Sequence, residues 1–272
     1  MPSVDPDRVA ALLRAAAREE VLPRFRALAA DDVRVKDTYG DPTDVVTAAD
    51  FAMERRISPE LLALLPGSVV VGEEAAAEDP SILRALDGEA PVWLVDPVDG
   101  TKNFAAGSED FGAMLALVVR GATVMSWIHL PCRDAMYVAE SGSGATLDGR
   151  RFTADASPVA GVPAGSVYGR ISMPPEEFAR LEAKAAATGR ARPYLGSAAV
   201  EYTSMLAGLK DYVVYHRLLP WDHAPGAFLV GEAGGCIRHA DGDAYAPRHR
   251  NHTLLAARSG AAWDAAYAAL FT

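Results

Sequence analysis

Cysteines, long apolar runs and positive charge are all scarce in this chain. Its two cysteines, Cys132 and Cys236, are far apart and lack the paired spacing of a metal site. A disulfide framework is therefore excluded, and 272 residues bury a core large enough to do without one. Both cysteines read as buried thiols. The longest apolar stretch, from Phe111 to Val119, falls far short of the roughly 20 residues of a membrane helix. No basic segment followed by an apolar one opens the sequence, so a cytoplasmic location without a secretory signal is expected. Lys and Arg number 26 against 36 Asp and Glu, and a net charge of −10 works against non-specific nucleic-acid binding. Neither nucleic acid nor membrane is an expected partner.

The remainder is ordinary folded-protein composition, 50% hydrophobic and 23% charged, with no repeat and no flexible linker. Apolar residues at helical spacing predict an amphipathic helix from Pro6 to Ala30 and a second from about Thr47 to Leu65, which Pro59 can kink or divide. Ser68 to Gly72 and Pro91 to Val95 read as strands that end on acids, Glu73-Glu74 and Asp96. β-rich segments near Gly112 to Val119, Thr123 to Leu130 and Ala135 to Glu140 predict an antiparallel sheet. Helices are expected near Pro175 to Thr188, Ala198 to Leu209, His223 to Ala233 and Ala261 to Leu270, with strands around Asp211 to Tyr215 and Thr253 to Ala257. The pattern is α+β with stacked helix and sheet layers. It reads as one domain over 1–272, with an N-terminal α+β lobe to about 150 and a C-terminal α/β lobe from about 151.

Glu73, Asp96, Asp99 and Asp222 each stand where an apolar element begins or ends. Asp96 and Asp99 are separated by Pro97-Val98, so both acids can face one pocket with the Val98 carbonyl as a further oxygen donor. Such a donor set suits Mg²⁺, which takes oxygen ligands and keeps waters or phosphate oxygens. An Asp-Pro or Asp-Gly pair alone would more simply start a turn. The whole string from Trp93 to Phe104, with a second acid and then Gly100-Thr101, is more specific. Gly100 and Thr101 offer backbone N–H groups to a phosphate, and the Thr101 hydroxyl can orient a water. A glycosidase would want one protonated and one ionised acid, whereas this cluster favours metal and phosphate.

Five blocks carry a resemblance: Asp44-Val45-Val46-Thr47-Ala48-Ala49-Asp50, Gly72-Glu73-Glu74, Asp96 to Thr101, Gly196-Ser197-Ala198-Ala199, and Trp221-Asp222 with Glu232-Ala233-Gly234-Gly235. In this order, over nearly the whole chain, the sequence resembles the inositol monophosphatase family of the lithium-sensitive, Mg²⁺-dependent phosphatase superfamily. The resemblance implies a layered αβαβα sandwich of the inositol monophosphatase and fructose-1,6-bisphosphatase type, a small phosphorylated metabolite as substrate, a homodimer, and roughly two or three Mg²⁺ ions. It implies Glu73, Asp96, the Val98 carbonyl, Asp99 and Asp222 as metal ligands, and Thr101, Asp50 and Glu73 as the catalytic group. Gly100, Thr101, Gly196, Ser197, Ala198, Tyr215 and Asp222 are the implied substrate contacts. Glu74 resembles a second acid near a further metal site. Lys36, in the loop before the first block, reads either as solvated or as approaching a metal-bound water or phosphate. Asp222 can also cap the helix that follows it.

The chain departs from the family at Tyr215, where inositol-phosphate enzymes commonly carry a Glu, and at Pro193, where a basic residue is usual and Arg192 is adjacent. Tyr215, His216 and Arg217 can read a different polyol, a second anionic group or an amine. Inositol monophosphate is the leading substrate, with histidinol phosphate and 3′-phosphoadenosine compounds as alternatives. A haloacid-dehalogenase-type phosphatase leaves Gly72-Glu73-Glu74 unexplained. A non-catalytic metal-binding or regulatory protein on this scaffold leaves the complete set of central acids and Thr101 without a purpose.

Overall fold

The computed structural model describes residues 4–36, 43–159 and 161–272. The loop expected before Asp44 lies, from 37 to 42, outside the described residues. Asp5 starts α1 (Pro6–Ala16) by accepting the N–H groups of Asp7 and Arg8, and one wider turn, Ala17–Val21, extends it. The helix expected to reach Ala30 ends there. Pro23 follows at once and has no N–H with which to continue it. β1 (Val33–Val35) and β2 (Val45–Thr47) form a short antiparallel pair. α2 (Ala48–Leu64) opens on a reciprocal cap between Thr47 and Asp50 and runs through Pro59 undivided.

A seven-stranded sheet follows in chain order: β3 (Val69–Gly72), β4 (Val92–Asp99), β5 (Gly112–Val119), β6 (Ala122–Leu130), β7 (Ala135–Glu140), β8 (Gly144–Leu147) and β9 (Arg150–Phe152). Only β3 and β4 are parallel, joined through α3 (Glu73–Glu78) and a 3₁₀ segment, Pro80–Asp87. The short α4 (Thr101–Ala105) leaves the end of β4. A second sheet contains β10 (Gly165–Val167), β11 (Tyr212–Arg217), β12 (Cys236–His239) and β13 (Asn251–Ala257) in the order β10-β11-β13-β12. Its helices are α5 (Pro175–Ala187), α6 (Ala198–Leu206), α7 (Pro220–Glu232) and α8 (Gly260–Phe271).

Strand alternation sorts these elements into layers. Trp93, Val95, Leu115 and Trp127 face α1 and α2, packing on Leu13, Met53 and Ile57. The opposite face, with Leu94, Ala116, Met114 and Ile128, meets α6 and α7. Val213 and Tyr215 of β11 cover those helices from the other side, and Tyr212 and Val214 turn outward onto α5 and α8. The order α, β, α, β, α is the layered sandwich expected. Cys132 and Cys236 are free and half-buried rather than buried, since both lie near sheet ends where the layers give less cover.

Candidate active site

Residues three apart on a regular strand point to opposite faces, so Asp96 and Asp99 need an irregularity to share a pocket. β4 supplies one. Asp96 pairs with Met114 and Asp99 with Gly112, leaving one extra residue on β4 between these pairs. The bulge contains Pro97, whose missing N–H costs no ladder bond at an unpaired position. Val95 and Val98 both pack toward α1 and α2, while Leu94 packs on the opposite side. The bulge thus restores parity and brings Asp96 and Asp99 to the face of α6 and α7.

Asp99 is fixed by the start of α6. Its Oδ1 accepts the Ala198 N–H at 3.1 Å, and its Oδ2 accepts the Ala199 N–H at 2.6 Å and the Ser197 hydroxyl. Burial raises the Asp99 carboxyl to about 6 against the pull of these donors. Oδ1, with one bond accepted, keeps a lone pair for a cation. This close approach needs small neighbours: a Cβ on Gly112 would lie 2.6 Å from the Ala199 Cβ. Gly100, at φ +88°, stands against Ser197 and the Gly196 carbonyl in a conformation that disfavours any side chain.

Asp96 is buried, and its Oδ1 accepts no hydrogen bond among the described residues. Burial, then repulsion from Glu73, Asp99 and Asp222, holds its carboxyl well above the ordinary range. Asp222 lies in the first turn of α7 and is raised by burial, Glu73 and Asp99, with Arg217 opposing. It does not cap that helix: the cap position is Leu219, and Pro220 opens the first turn. Buried acids that repel one another, one with an orphaned oxygen, are the donor set a divalent cation satisfies. Among the described residues no three such side chains close on one point as a ready-made cage. Mg²⁺ needs none, because it keeps waters and phosphate oxygens in its shell.

The Thr101 hydroxyl lies 3.0 Å from the Val98 carbonyl and 3.2 Å from Asp50 Oδ1. Asp50 Oδ2 accepts from the Thr47 N–H at 2.9 Å and the Thr47 hydroxyl at 2.6 Å. Burial lifts Asp50 to about 7. Glu73 begins α3, and Glu54 holds that turn by accepting the N–H groups of Glu74 and Ala75, each at 3.0 Å. Lys36 is buried, with Nζ 2.9 Å from Glu73 Oε1 and 2.7 Å from Glu74 Oε1. Burial alone would lower its pKa, but the attraction of both glutamates prevails and raises it. The lysine is therefore not solvated. Its ammonium stands beside Glu74, the acid that the resemblance set near a further metal, and burial, then Glu73, raise that carboxyl while Lys36 opposes them.

A cavity of about 350 Å³ gathers Glu73, Asp96, Val98, Asp99, Gly100, Thr101, Gly196, Ala198 and Asp222. Two expected substrate contacts are absent from its lining. Ser197 is buried with its hydroxyl on Asp99, because it is the N-cap of α6. Tyr215 is fully buried, since it shares the face of β11 with Val213, and it packs edge-on to His223 with ring centroids 4.6 Å apart. His216 instead bonds Thr253 through Nδ1 at 3.0 Å. Arg217 does line the cavity, as do Asp44, Asn103, Tyr168, Arg170 and Tyr194. His223 Nε2 meets the Arg217 carbonyl and Nδ1 meets the Tyr202 hydroxyl, both at 2.9 Å. A carbonyl only accepts, so the proton is on Nε2 and Tyr202 donates to Nδ1.

Sequence reasoning missed Glu54 and the tyrosines. Glu54 left a signal, a carboxylate beside Met53 on the buried stripe of α2. Tyr168 and Tyr194 lie outside regular elements and meet only in the folded chain, so no local pattern marked them. Among the described residues no helix is long and apolar enough to cross a membrane.

Residues 5–271 match the model of the inositol monophosphatase family. An inositol-1-monophosphatase of Rhizobium meliloti is 33% identical over 210 residues, 74% of each chain. A fructose-1,6-bisphosphatase/inositol-1-monophosphatase of Thermotoga maritima is 32% identical over 199 residues, 73% of each chain. Among solved structures, an IMPase of Thermotoga maritima superposes with a TM-score of 0.79 at 27% identity, covering 97% of this chain and 95% of the other. The extragenic suppressor protein suhB of Bartonella henselae gives 0.76 at 26% identity, with the same coverage of both chains. The chain belongs to the inositol monophosphatase family, a family of generally metal-dependent phosphatases that act on small phosphorylated substrates.

Proposed function

We propose that this phosphatase hydrolyses a small phosphate monoester with Mg²⁺, inositol monophosphate being the leading substrate. The observation that carries the reading is the buried acid cluster whose Asp96 Oδ1 has no bond among the described residues, set beside a Thr hydroxyl backed by Asp50. Glu73, Asp96, Asp99, Asp222 and the Val98 carbonyl would hold the metal. Mg²⁺ bound there supplies charge for the phosphate oxygens and lowers the pKa of water.

The residues handle the proton. Thr101 has one hydroxyl hydrogen and two acceptors, Val98 and Asp50. Directed at Asp50 Oδ1, it leaves the Thr101 oxygen free to accept from a water in the cavity. As the water oxygen bonds to phosphorus, its proton passes to Thr101 and the Thr101 proton to Asp50. Asp50, raised to about 7, suits that exchange near neutral pH. The ester P–O bond breaks, the leaving oxygen takes a proton from solvent and Asp50 returns the one it received to solvent, with no covalent link to the enzyme. Arg217, a cation in the cavity, works against an amine such as that of histidinol phosphate. Inhibition by Li⁺ and a homodimer belong to the same reading through the family resemblance, and a cytoplasmic location through the sequence.

Phosphate release from inositol monophosphate, with Mg²⁺ and with a chelator, tests this. Release only with Mg²⁺, lost in Asp99→Asn, is expected. A covalent phosphoryl adduct on Asp96, or normal turnover and metal content in Asp99→Asn, would overturn it.

A further inference from the structure

A second ion pair lies under the cavity, away from the acid cluster. Glu201, in α6, is fully buried, and Lys210 nearly so. Glu201 Oε2 accepts from Lys210 Nζ at 2.6 Å and from the Ser166 hydroxyl at 3.2 Å, while Oε1 accepts the Leu195 N–H at 2.5 Å. A buried ion pair adds little net stability over apolar residues of similar volume, so its use is to be sought in what it fixes. Here it ties β10, through Ser166, to the segment that precedes α6.

Each tied residue adjoins a wall of the cavity. Tyr194 directly precedes Leu195, and Tyr168 stands two residues after Ser166. Their rings stack at 4.1 Å between centroids and 15° between planes, and both line the cavity. Tyr194 is backed edge-on by the buried Tyr215 at 6.3 Å. Leu195 is held on its other side too, because its carbonyl accepts from Asn103 Nδ2 at 2.7 Å. Asn103 lies in α4, two residues from Thr101, and also donates to the Asp110 carbonyl at 2.6 Å. One residue thus links the catalytic helix to the aromatic wall, and Glu201 fixes its N–H.

We propose that Glu201, neutralised by Lys210, is the positioning residue of the Tyr168–Tyr194 wall, and that this wall receives the ring of the leaving alcohol. The inference rests on the phosphatase reading. An aromatic surface next to a phosphate site favours a cyclic alcohol, whose ring or C–H face lies on it, over an open-chain one. Glu201 then governs affinity for the organic part of the ester and leaves the chemical step alone.

Two charge-neutral double variants test this without leaving a lone buried charge. Glu201→Leu/Lys210→Met removes the acceptor for Leu195, and Glu201→Gln/Lys210→Met retains one. Hydrogen exchange at the Leu195 amide is measured, together with kinetics on inositol 1-phosphate and p-nitrophenyl phosphate and inhibition by inorganic phosphate. In the Leu variant, loss of Leu195 protection and a KM higher by roughly fivefold to tenfold are expected, the scale of one hydrogen bond. Its kcat and its inhibition constant for phosphate stay within about twofold, and the Gln variant restores KM. Unchanged Leu195 protection, or a fall in kcat and phosphate affinity alongside KM, would overturn the proposal. If the wild type releases no phosphate from any ester, the phosphatase reading fails and takes the affinity claim with it. Exchange at Leu195 then judges the positioning alone.

Discussion

Thr101 and Asp50 each hold two jobs. The Thr101 hydroxyl bridges the Val98 carbonyl and Asp50, and Asp50 also completes the reciprocal cap with Thr47 at the start of α2. Replacing Thr101 with Val keeps the shape and removes the proton path. Thr101→Val is expected to lower kcat by about 10²- to 10⁴-fold with an unchanged melting temperature, and Thr101→Ser to retain most activity. Steady-state kinetics beside a thermal melt decides it, and a Val variant within about tenfold of wild type removes Thr101 from the proton path. Asp96, Asp99 and Thr101 were legible because one strand end carries them in a single string. Ser197 and Tyr215 lie outside the cavity lining for a physical reason. A helix cap turns its hydroxyl onto the helix and its acid partner, and strand parity puts Tyr215 with Val213 in the core.

At the scale of elements, the Glu73 turn depends on a glycine. A Cβ on Gly72 would lie 2.2 Å from Glu54 Cδ, whose oxygens hold the first amides of α3. Glu54 cannot swing aside without releasing those amides. Gly72→Ala should therefore displace α3 and with it Glu73, destabilising the fold by about 1–3 kcal/mol, the usual effect of overpacking. It should also raise the Mg²⁺ concentration needed for half-maximal activity. Titration of activity with Mg²⁺ measures this, and an unchanged midpoint would show that Glu54 does not place Glu73. The long periodic helices and the central strands were readable from the sequence. β1, β2, β8, β9, β10 and β12 were not, because a strand of three or four residues without an apolar run like that of β3 exists through its partners. The bulge at Pro97 showed only as a proline inside a strand end, and its consequence for parity needed the pairing with β5.

At the scale of the whole molecule, the acid cluster couples stability to pH and metal. Burial raises Asp50 to about 7 and Asp99 to about 6, and holds Asp96 and Asp222 well above the ordinary range. An acid whose folded pKa is raised favours folding below its unfolded pKa and loses that contribution as pH rises through the folded value. The metal-free protein should therefore lose stability between pH 6.5 and 8, by at most about 1.4 kcal/mol per pH unit for each proton released. Buried histidines oppose this only at the lower edge of the window. Burial lowers His129 and His239 to about 4 and His223 to about 3, and their contribution is complete about one pH unit above the ordinary histidine value, where the unfolded rings are neutral too. Bound Mg²⁺ offsets the repulsion that appears as the acids ionise, and binding to the folded state alone stabilises it by mass action. The rise in melting temperature on adding Mg²⁺ to chelated protein should accordingly be larger at pH 8 than at pH 6.5. A shift equal at both values would mean that these carboxylates are not where the metal binds. Asp222→Asn, by removing one ionisable oxygen pair, should shrink the shift at pH 8 more than at pH 6.5.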